Sequence, residues 1–271
     1  MSRIRDTFVR LKQTGRGGFI PFITAGDPDL ITTELLLVEL ATAGADIIEL
    51  GVPFSDPVAD GAVIQRASER ALRKGATLSD ALKCVSNAKA HIDVPIVLFS
   101  YLNPLLKFGR DRLADEARIA GIDAVLITDL IPEEADPWIA AFREHGIDLI
   151  FLVAPTTSDE RVTRIAQQTS GFIYAVSRAG VTGARDEMPR DAELLVKRVR
   201  AVSDLPVAVG FGISTPEQVR QVWRFADAAV IGSAIVSEIE KLPDSPQLVN
   251  RIGEFARSFL KSKQIGQTPG S

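Results

Sequence analysis

Eight short apolar runs punctuate the chain: GFIPFIT (18–24), DIIELGV (46–52), PIVLFSY (95–101), DAVLIT (123–128), DLIFLVA (148–154), GFIYAVS (171–177), PVAVGFG (206–212) and DAAVIGS (227–233). Each has the length of a buried strand, and the segments between them, such as DLITTELLLVELATAG (29–44) and DRLADEARIAG (111–121), have helical periodicity. Strands that are apolar on both faces and joined by helices require a parallel sheet covered by those helices. Eight is the number that closes such a sheet on itself. With 271 residues available, the expected fold is α/β: a single (β/α)8 TIM barrel over residues 1–262, with a short N-terminal helix and extra helices. A polar tail, 263–271, is expected to be mobile.

An internal quasi-repeat supports this. AGADIIEL, AGIDAVLI, HGIDLIFL and FADAAVIG each end a helix, turn, place an aspartate and enter a strand. Asp46, Asp123, Asp148 and Asp227 therefore belong to the face where strands begin, which in a barrel serves stability. His145 and His91 also precede strands, and both are read as structural.

Composition narrows the function classes. With 31 basic and 35 acidic residues the net charge is −4, which offers no general field for nucleic acid. Cys84 is the only cysteine, so an intrachain disulfide and a multi-thiolate metal site are excluded and a reducing, cytoplasmic setting is expected. No apolar run approaches the ~20 residues that span a bilayer. The opening MSRIRDTFVRLKQTGRGG lacks a secretory apolar core, and its Ile4, Phe8, Leu11 spacing predicts an amphipathic helix rather than a transit peptide.

Chemistry in a parallel barrel collects where strands end. The polar residues sorted to that end are Glu49, Asp56, Asp60, Asp129, Tyr174, Ser177 and Arg178, with glycine-rich turns GFGIS (210–214) and IGSAI (231–235) after strands 7 and 8. By alternation Glu49 shares a face with Ile47 and Gly51 and points into the barrel, where it must be ion-paired, protonated or near an opening. Desolvation would raise its pKa toward the range of a proton shuttle. Asp60 opens the helical segment DGAVIQRASERALRKG, where an aspartate also suits an N-cap, so both a capping and a catalytic reading stand. Asp56, between Ser55 and Pro57, reads as a solvated turn residue. The two glycine turns would present backbone N–H groups at helix starts, which points to a phosphorylated ligand. The segment SRAGVTGARDEMPRD (177–191) has the length and composition of a lid.

Six segments, PFITAGDPD (21–29), IELGVPFSDPVADGAVIQ (48–65), YLNP (101–104), ITDLIPEEA (127–135), YAVSRAGVTGAR (174–185) and VGFGIS (209–214), closely resemble the α subunits of tryptophan synthase, in order and across nearly the whole chain. The resemblance implies retro-aldol cleavage of indole-3-glycerol phosphate to indole and glyceraldehyde 3-phosphate, with no metal or cofactor in this chain. It implies Glu49 as acid to indole C3 and base to the adjacent hydroxyl, and Asp60 as the anion that accepts the ring N–H. Phe22, Leu126, Tyr174 and Phe211 would surround the indole. Gly183, Gly212, Gly232 and Ser233 would hold the phosphate, Thr182 would touch Asp60 on closure, and Arg178 would steady the lid. The resemblance further implies a pyridoxal-phosphate β subunit in an α2β2 assembly, docked on loops that contain Asp56, Pro57, Asn103 and Pro104. A stand-alone lyase that releases indole, and a phosphate-binding activator with little chemistry of its own, are the competing readings.

Overall fold

The computed structural model describes residues 2–176, 190–210 and 212–260. Along the chain the elements are α1 (Arg3–Gln13), β1 (Gly18–Thr24), α2 (Leu30–Thr42), β2 (Ile48–Gly51), α3 (Ala62–Arg73), α4 (Leu78–Lys89), β3 (Ile96–Ser100), α5 (Leu102–Phe108), α6 (Arg110–Ala120) and β4 (Ala124–Ile127). They continue with α7 (Asp136–Glu144), β5 (Asp148–Ile150), β6 (Leu152–Val153), α8 (Asp159–Gln168), β7 (Ile173–Val176), α9 (Arg190–Arg200), β8 (Val207–Gly210), α10 (Pro216–Val222), β9 (Ala228–Ile231), α11 (Ser233–Glu240) and α12 (Leu248–Leu260).

The strands pair in parallel in the order β5-β4-β3-β2-β1-β9-β8-β7-β6. β5 and β6 are the two halves of the predicted fifth strand, separated by Phe151 alone. The first half pairs with β4 and the second with β7, so this strand joins the two edges and closes the ring. The Phe151 carbonyl still accepts the Tyr174 N–H at 3.0 Å. The expected eight-strand barrel is thus present, with its fifth strand interrupted at the residue where pairing passes from one neighbour to the other.

Alternation divides the apolar residues into two cores. Ile48 and Leu50 pack outward against the helices, as do Leu36 and Leu40 of α2 from the other side. Ile47, Phe22, Val97, Phe99, Leu126 and Tyr174 fill the barrel. The base is plugged by α1, whose Ile4, Phe8 and Leu11 are buried and whose Phe8 ring lies 5.6 Å from that of Phe172. This helix is the predicted amphipathic one, capped by Ser2, whose hydroxyl accepts the Arg5 N–H at 3.2 Å.

Three strand-initial aspartates reach back to the preceding strand in the chain and tie the base together. Asp46 accepts the Phe19 N–H at 2.9 Å, Asp123 that of Ile96 at 2.8 Å, and Asp227 that of Val207 at 2.8 Å. Arg16, Lys89 and Arg200 supply the matching positive charges. His145 is held here too, by the Ala141 carbonyl and Asp115, each at 2.8 Å. Among the described residues no helix is long and apolar enough to cross a membrane.

Candidate active site

The strand ends surround a pocket lined by Phe22, Glu49, Asp60, Ile64, Phe99, Tyr174, Gly212, Val230, Gly232 and Ser233, with about 410 Å³ of empty space counted to its mouth. Glu49 sits at its floor, in register with Phe22 on β1 and Val97 on β3. It is fully buried, and neither carboxylate oxygen has a hydrogen-bond partner. The ion-pair reading of Glu49 therefore has no support among the described residues. Burial alone pushes its pKa up to about 8, so at neutral pH it holds a proton.

Asp60 lies at the rim, half-buried. The capping reading is overturned: the N-cap of α3 is Gly61, and no side chain caps that helix. Asp60 is one residue too early, and its carboxylate is free to meet the Tyr101 hydroxyl instead. That hydroxyl also accepts the Ala59 N–H at 3.0 Å, which fixes the loop leading into α3. Desolvation raises Asp60 to about 6, with the Tyr101 hydrogen bond acting in the opposite sense. The two carboxylates thus stand in different protonation states at neutral pH.

Tyr174 is fully enclosed, and burial, followed by the nearby Glu49 and Asp60, raises its pKa far above the usual tyrosine value, so it is neutral. Its ring requires Gly210 on β8, since a Cβ there would come within 2.1 Å of the hydroxyl oxygen. Phe22 requires Gly51 in the same way, at 2.5 Å from its ring. Phe22 and Phe99 meet edge to face at 5.4 Å and form an apolar wall.

The two glycine turns differ. Gly232 is the N-cap of α11 with no side-chain cap, and Ser233 is the first residue of that helix, so its leading N–H groups face the pocket. The turn after β8 is not a helix start: α10 begins only at Pro216, and Thr215 and Gln218 satisfy its end through a capping box. Gly212 still lines the pocket.

Leu126 is buried in the barrel interior but does not line the pocket. Ser177, Arg178, Thr182, Gly183 and Phe211, and with them most of the expected lid and the tail, lie outside the described residues. Asp129 is occupied in the fold, accepting the Leu102 N–H at 2.7 Å. Asn103 and Pro104, expected in a loop, form the first turn of α5. Asp56, like Asn103, is exposed. Ile64, Phe99 and Val230 were not singled out by sequence, although alternation along β3 and β9 turns Phe99 and Val230 inward. For Ile64 there was no signal beyond its place in the first turn of α3.

An ion network ties together the helices that carry the two sides of the site. Arg70 on α3 grips buried Asp27 with two bonds of 2.8 Å and reaches Glu240 at the end of α11 at 2.6 Å. Arg66 adds a fork onto Glu240 at 2.7 and 2.6 Å. Arg66, and then Arg70, hold the Glu240 carboxyl down to about 2.

Residues 8–264 match the family model for the tryptophan synthase alpha chain. The chain belongs to that family. It is 51% identical to the tryptophan synthase alpha chain of Citrifermentans bemidjiense over 259 residues, 96% of this chain and 97% of the relative. The tryptophan synthase alpha chain of Geobacter sulfurreducens is also 51% identical, with 97% of this chain and 99% of the relative covered. Among solved structures, tryptophan synthase subunit alpha from Legionella pneumophila superposes with a TM-score of 0.89 at 39% identity, covering 97% of this chain and 98% of that one. A chain of Mycobacterium tuberculosis tryptophan synthase gives 0.87, also at 39% identity, covering 95% and 98%. The fold is thus that of a tryptophan synthase alpha chain, and its pocket holds two carboxyl groups, Glu49 and Asp60, whose pKa values are raised to different extents.

Proposed function

We propose that this chain cleaves indole-3-glycerol phosphate by a retro-aldol reaction, with Glu49 as the proton shuttle and Asp60 as the charged partner of the indole nitrogen. The observation that carries the reading is a fully buried, unpaired carboxylic acid at about 8 facing a rim carboxylate at about 6. Glu49 starts protonated and gives its proton to indole C3. The resulting positive ring is stabilised at N–H by the Asp60 carboxylate. Glu49, now an anion, takes the proton of the hydroxyl on the carbon attached to C3. The carbon–carbon bond breaks, its electron pair returns to the ring, and indole and glyceraldehyde 3-phosphate result. Glu49 ends as it began, so one group serves as acid and then base.

Phe22 and Phe99 supply a flat apolar wall for the ring, and Tyr174 a neutral neighbour beside it. The uncapped start of α11 at Gly232 and Ser233 suits the phosphate, through free N–H groups and the positive end of the helix, with Gly212 beside it. Phe211, Thr182 and Gly183 are proposed to complete the substrate contacts, with Leu126 packed in the barrel interior behind the pocket wall. No step calls on a metal or cofactor in this chain.

The proposal includes a pyridoxal-phosphate β subunit as partner, in an α2β2 assembly, that receives the indole for condensation with serine. Its support is an apolar surface beside the proposed docking residues Asp56, Pro57, Asn103 and Pro104. Val58, Leu106 and Ile131 are 87%, 55% and 42% exposed, on segments that follow three neighbouring strands, β2, β3 and β4. A cytoplasmic setting accords with a single buried free cysteine, Cys84.

The test is turnover of indole-3-glycerol phosphate by the purified chain with and without a β subunit, alongside Glu49→Gln. That variant is expected to keep fold and substrate binding and to lose cleavage by about 10²-fold or more. Near-normal turnover would falsify the assignment of Glu49. Strong activation by the β subunit supports the coupled reading, and full activity without it the stand-alone one.

A further inference from the structure

No step of the proposed cleavage uses the ion network on α3, yet that network joins every element that brings a substrate contact. Arg70 engages all three guanidinium nitrogens: Nε and Nη2 fork onto the two carboxylate oxygens of Asp27 at 2.8 Å each, and Nη1 meets Glu240 at 2.6 Å. Arg66, one turn earlier, forks onto Glu240 at 2.7 and 2.6 Å. Asp27 is buried just after β1, and among the described residues no other cation pairs with it. Three elements are thereby held together: β1 carries Phe22, α3 follows Asp60 and places Ile64 in its first turn, and α11 starts at Ser233 after Gly232. At the pocket the same elements meet through apolar side chains, with Phe22 and Ile64 lying 3.6 and 3.7 Å from where a Cβ on Gly232 would sit. Apolar contact is non-directional and does not fix how far one helix stands along another. A planar guanidinium fork does.

We propose that Arg70, together with Arg66, is a positioning residue: by holding Asp27 and Glu240 it sets the span between Asp60 and the start of α11, so that the ring and the phosphate of one substrate molecule are gripped at once. The inference rests on the reading of Asp60 and α11 as the contacts of the ring nitrogen and the phosphate. Both helices begin at the pocket and are clasped further along, at Arg70, eight residues after Ala62, and at Glu240, seven after Ser233. At 1.5 Å per residue these are levers of about 12 and about 10 Å, so a tilt of about 5° at the clasp moves either pocket end by about 1 Å. A displacement of about 1 Å between reacting groups can cost about 10²-fold in rate. Well-packed apolar side chains would hold these elements at least as strongly as a buried ion pair does. What the forks add is a fixed direction and distance, which is what a substrate with two anchored ends requires.

The experiment titrates the full chain by calorimetry with 3-(indol-3-yl)propyl phosphate, which carries both ends and lacks the hydroxyl through which cleavage proceeds, and with indole and glycerol 3-phosphate as the separate ends. One variant is Glu240→Ala, which frees α11 and leaves Arg70 on Asp27. The other combines Arg66→Ala with Arg70→Lys, which removes the forks and keeps a charge beside buried Asp27. In both, the joined analogue is expected to bind at least about tenfold more weakly, while each separate end binds within about twofold of wild type. KM for indole-3-glycerol phosphate should rise and kcat fall. A role confined to stability would lower the melting temperature and leave the three affinities of the folded chain unchanged, so undiminished binding of the analogue in either variant would overturn the proposal. An equal loss for the analogue and for both ends would overturn it as well. Glu240 is partly exposed, so its variant keeps the test valid if the arginine substitutions disturb folding. The expected pattern in a chain that does not cleave indole-3-glycerol phosphate would keep the clasp and overturn the proposed reaction, and a wild type that does not bind the analogue would overturn both.

Discussion

The proposed cleavage depends on two carboxyl groups that the fold moves by different amounts. Asp60 ionises near 6 and Glu49 keeps its proton to near 8, so the competent form, Asp60 charged and Glu49 neutral, is most populated between those values. kcat/KM should rise as pH passes about 6, fall as it passes about 8, and lose its acid limb in Asp60→Asn; a pH profile of both proteins checks this. Glu49 also weakens the fold that holds it. In the unfolded chain it titrates near 4.5, so between 4.5 and 8 the folded state holds a proton that the unfolded state has released. Stability therefore falls as pH rises through that window and levels above it, at a cost on the order of a few kcal/mol. Glu49→Gln should melt higher than wild type by a margin that is larger at about pH 9 than at about pH 5, and a margin that does not change with pH would mean that Glu49 is not desolvated.

Strands and helices act by where they stop and by what they leave room for. Because β8 ends in Gly210, the Tyr174 ring on the neighbouring β7 can lie over it, and Gly51 at the end of β2 leaves the same room for Phe22. Gly210→Ala would place a methyl 2.1 Å from the Tyr174 oxygen, closer than any rotation of the methyl can relieve. Stability should drop by about 1–3 kcal/mol in urea unfolding, with KM for indole-3-glycerol phosphate raised. A Tyr174→Ala background should erase most of that stability loss, since the two changes share one contact. At the other side of the site, α3 starts one residue after Asp60 would have to act as its cap, and that single-residue offset leaves the carboxylate to Tyr101.

Across the whole molecule, the barrel closes through a strand whose two halves serve different neighbours, and its two ends have different tasks. The base is tied by Asp46, Asp123 and Asp227 and plugged by α1. The opposite end holds the pocket and, beside it, the exposed apolar residues Val58 and Leu106. Val58→Glu with Leu106→Glu should weaken binding of a β subunit and reduce its activating effect, while the cleavage rate of the isolated chain is unchanged. Calorimetric titration and paired rate assays measure this, and a loss of the isolated rate would show that the surface also supports the pocket.

The strand count, the inward direction of Glu49 and the basal place of the repeated aspartates were legible in the chain because periodicity reports burial by near neighbours. A strand that is apolar on both faces, with one acid at an inward position, has few other ways to fold. Local pattern carries no record of which distant segments meet. Arg66 and Glu240 are 174 residues apart, and Arg70 and Asp27 are 43 apart, so their network was invisible until the helices packed. The same holds for Ile64, Phe99 and Val230, which come from three separate elements and become a pocket wall only when the ring closes. Sequence left Asp60 between cap and catalyst, and it placed Asp148 with the other three aspartates. Tertiary structure removed the capping reading of Asp60, because the helix begins after Gly61, and set Asp148 apart, because no backbone N–H of the preceding strand reaches its Oδ2.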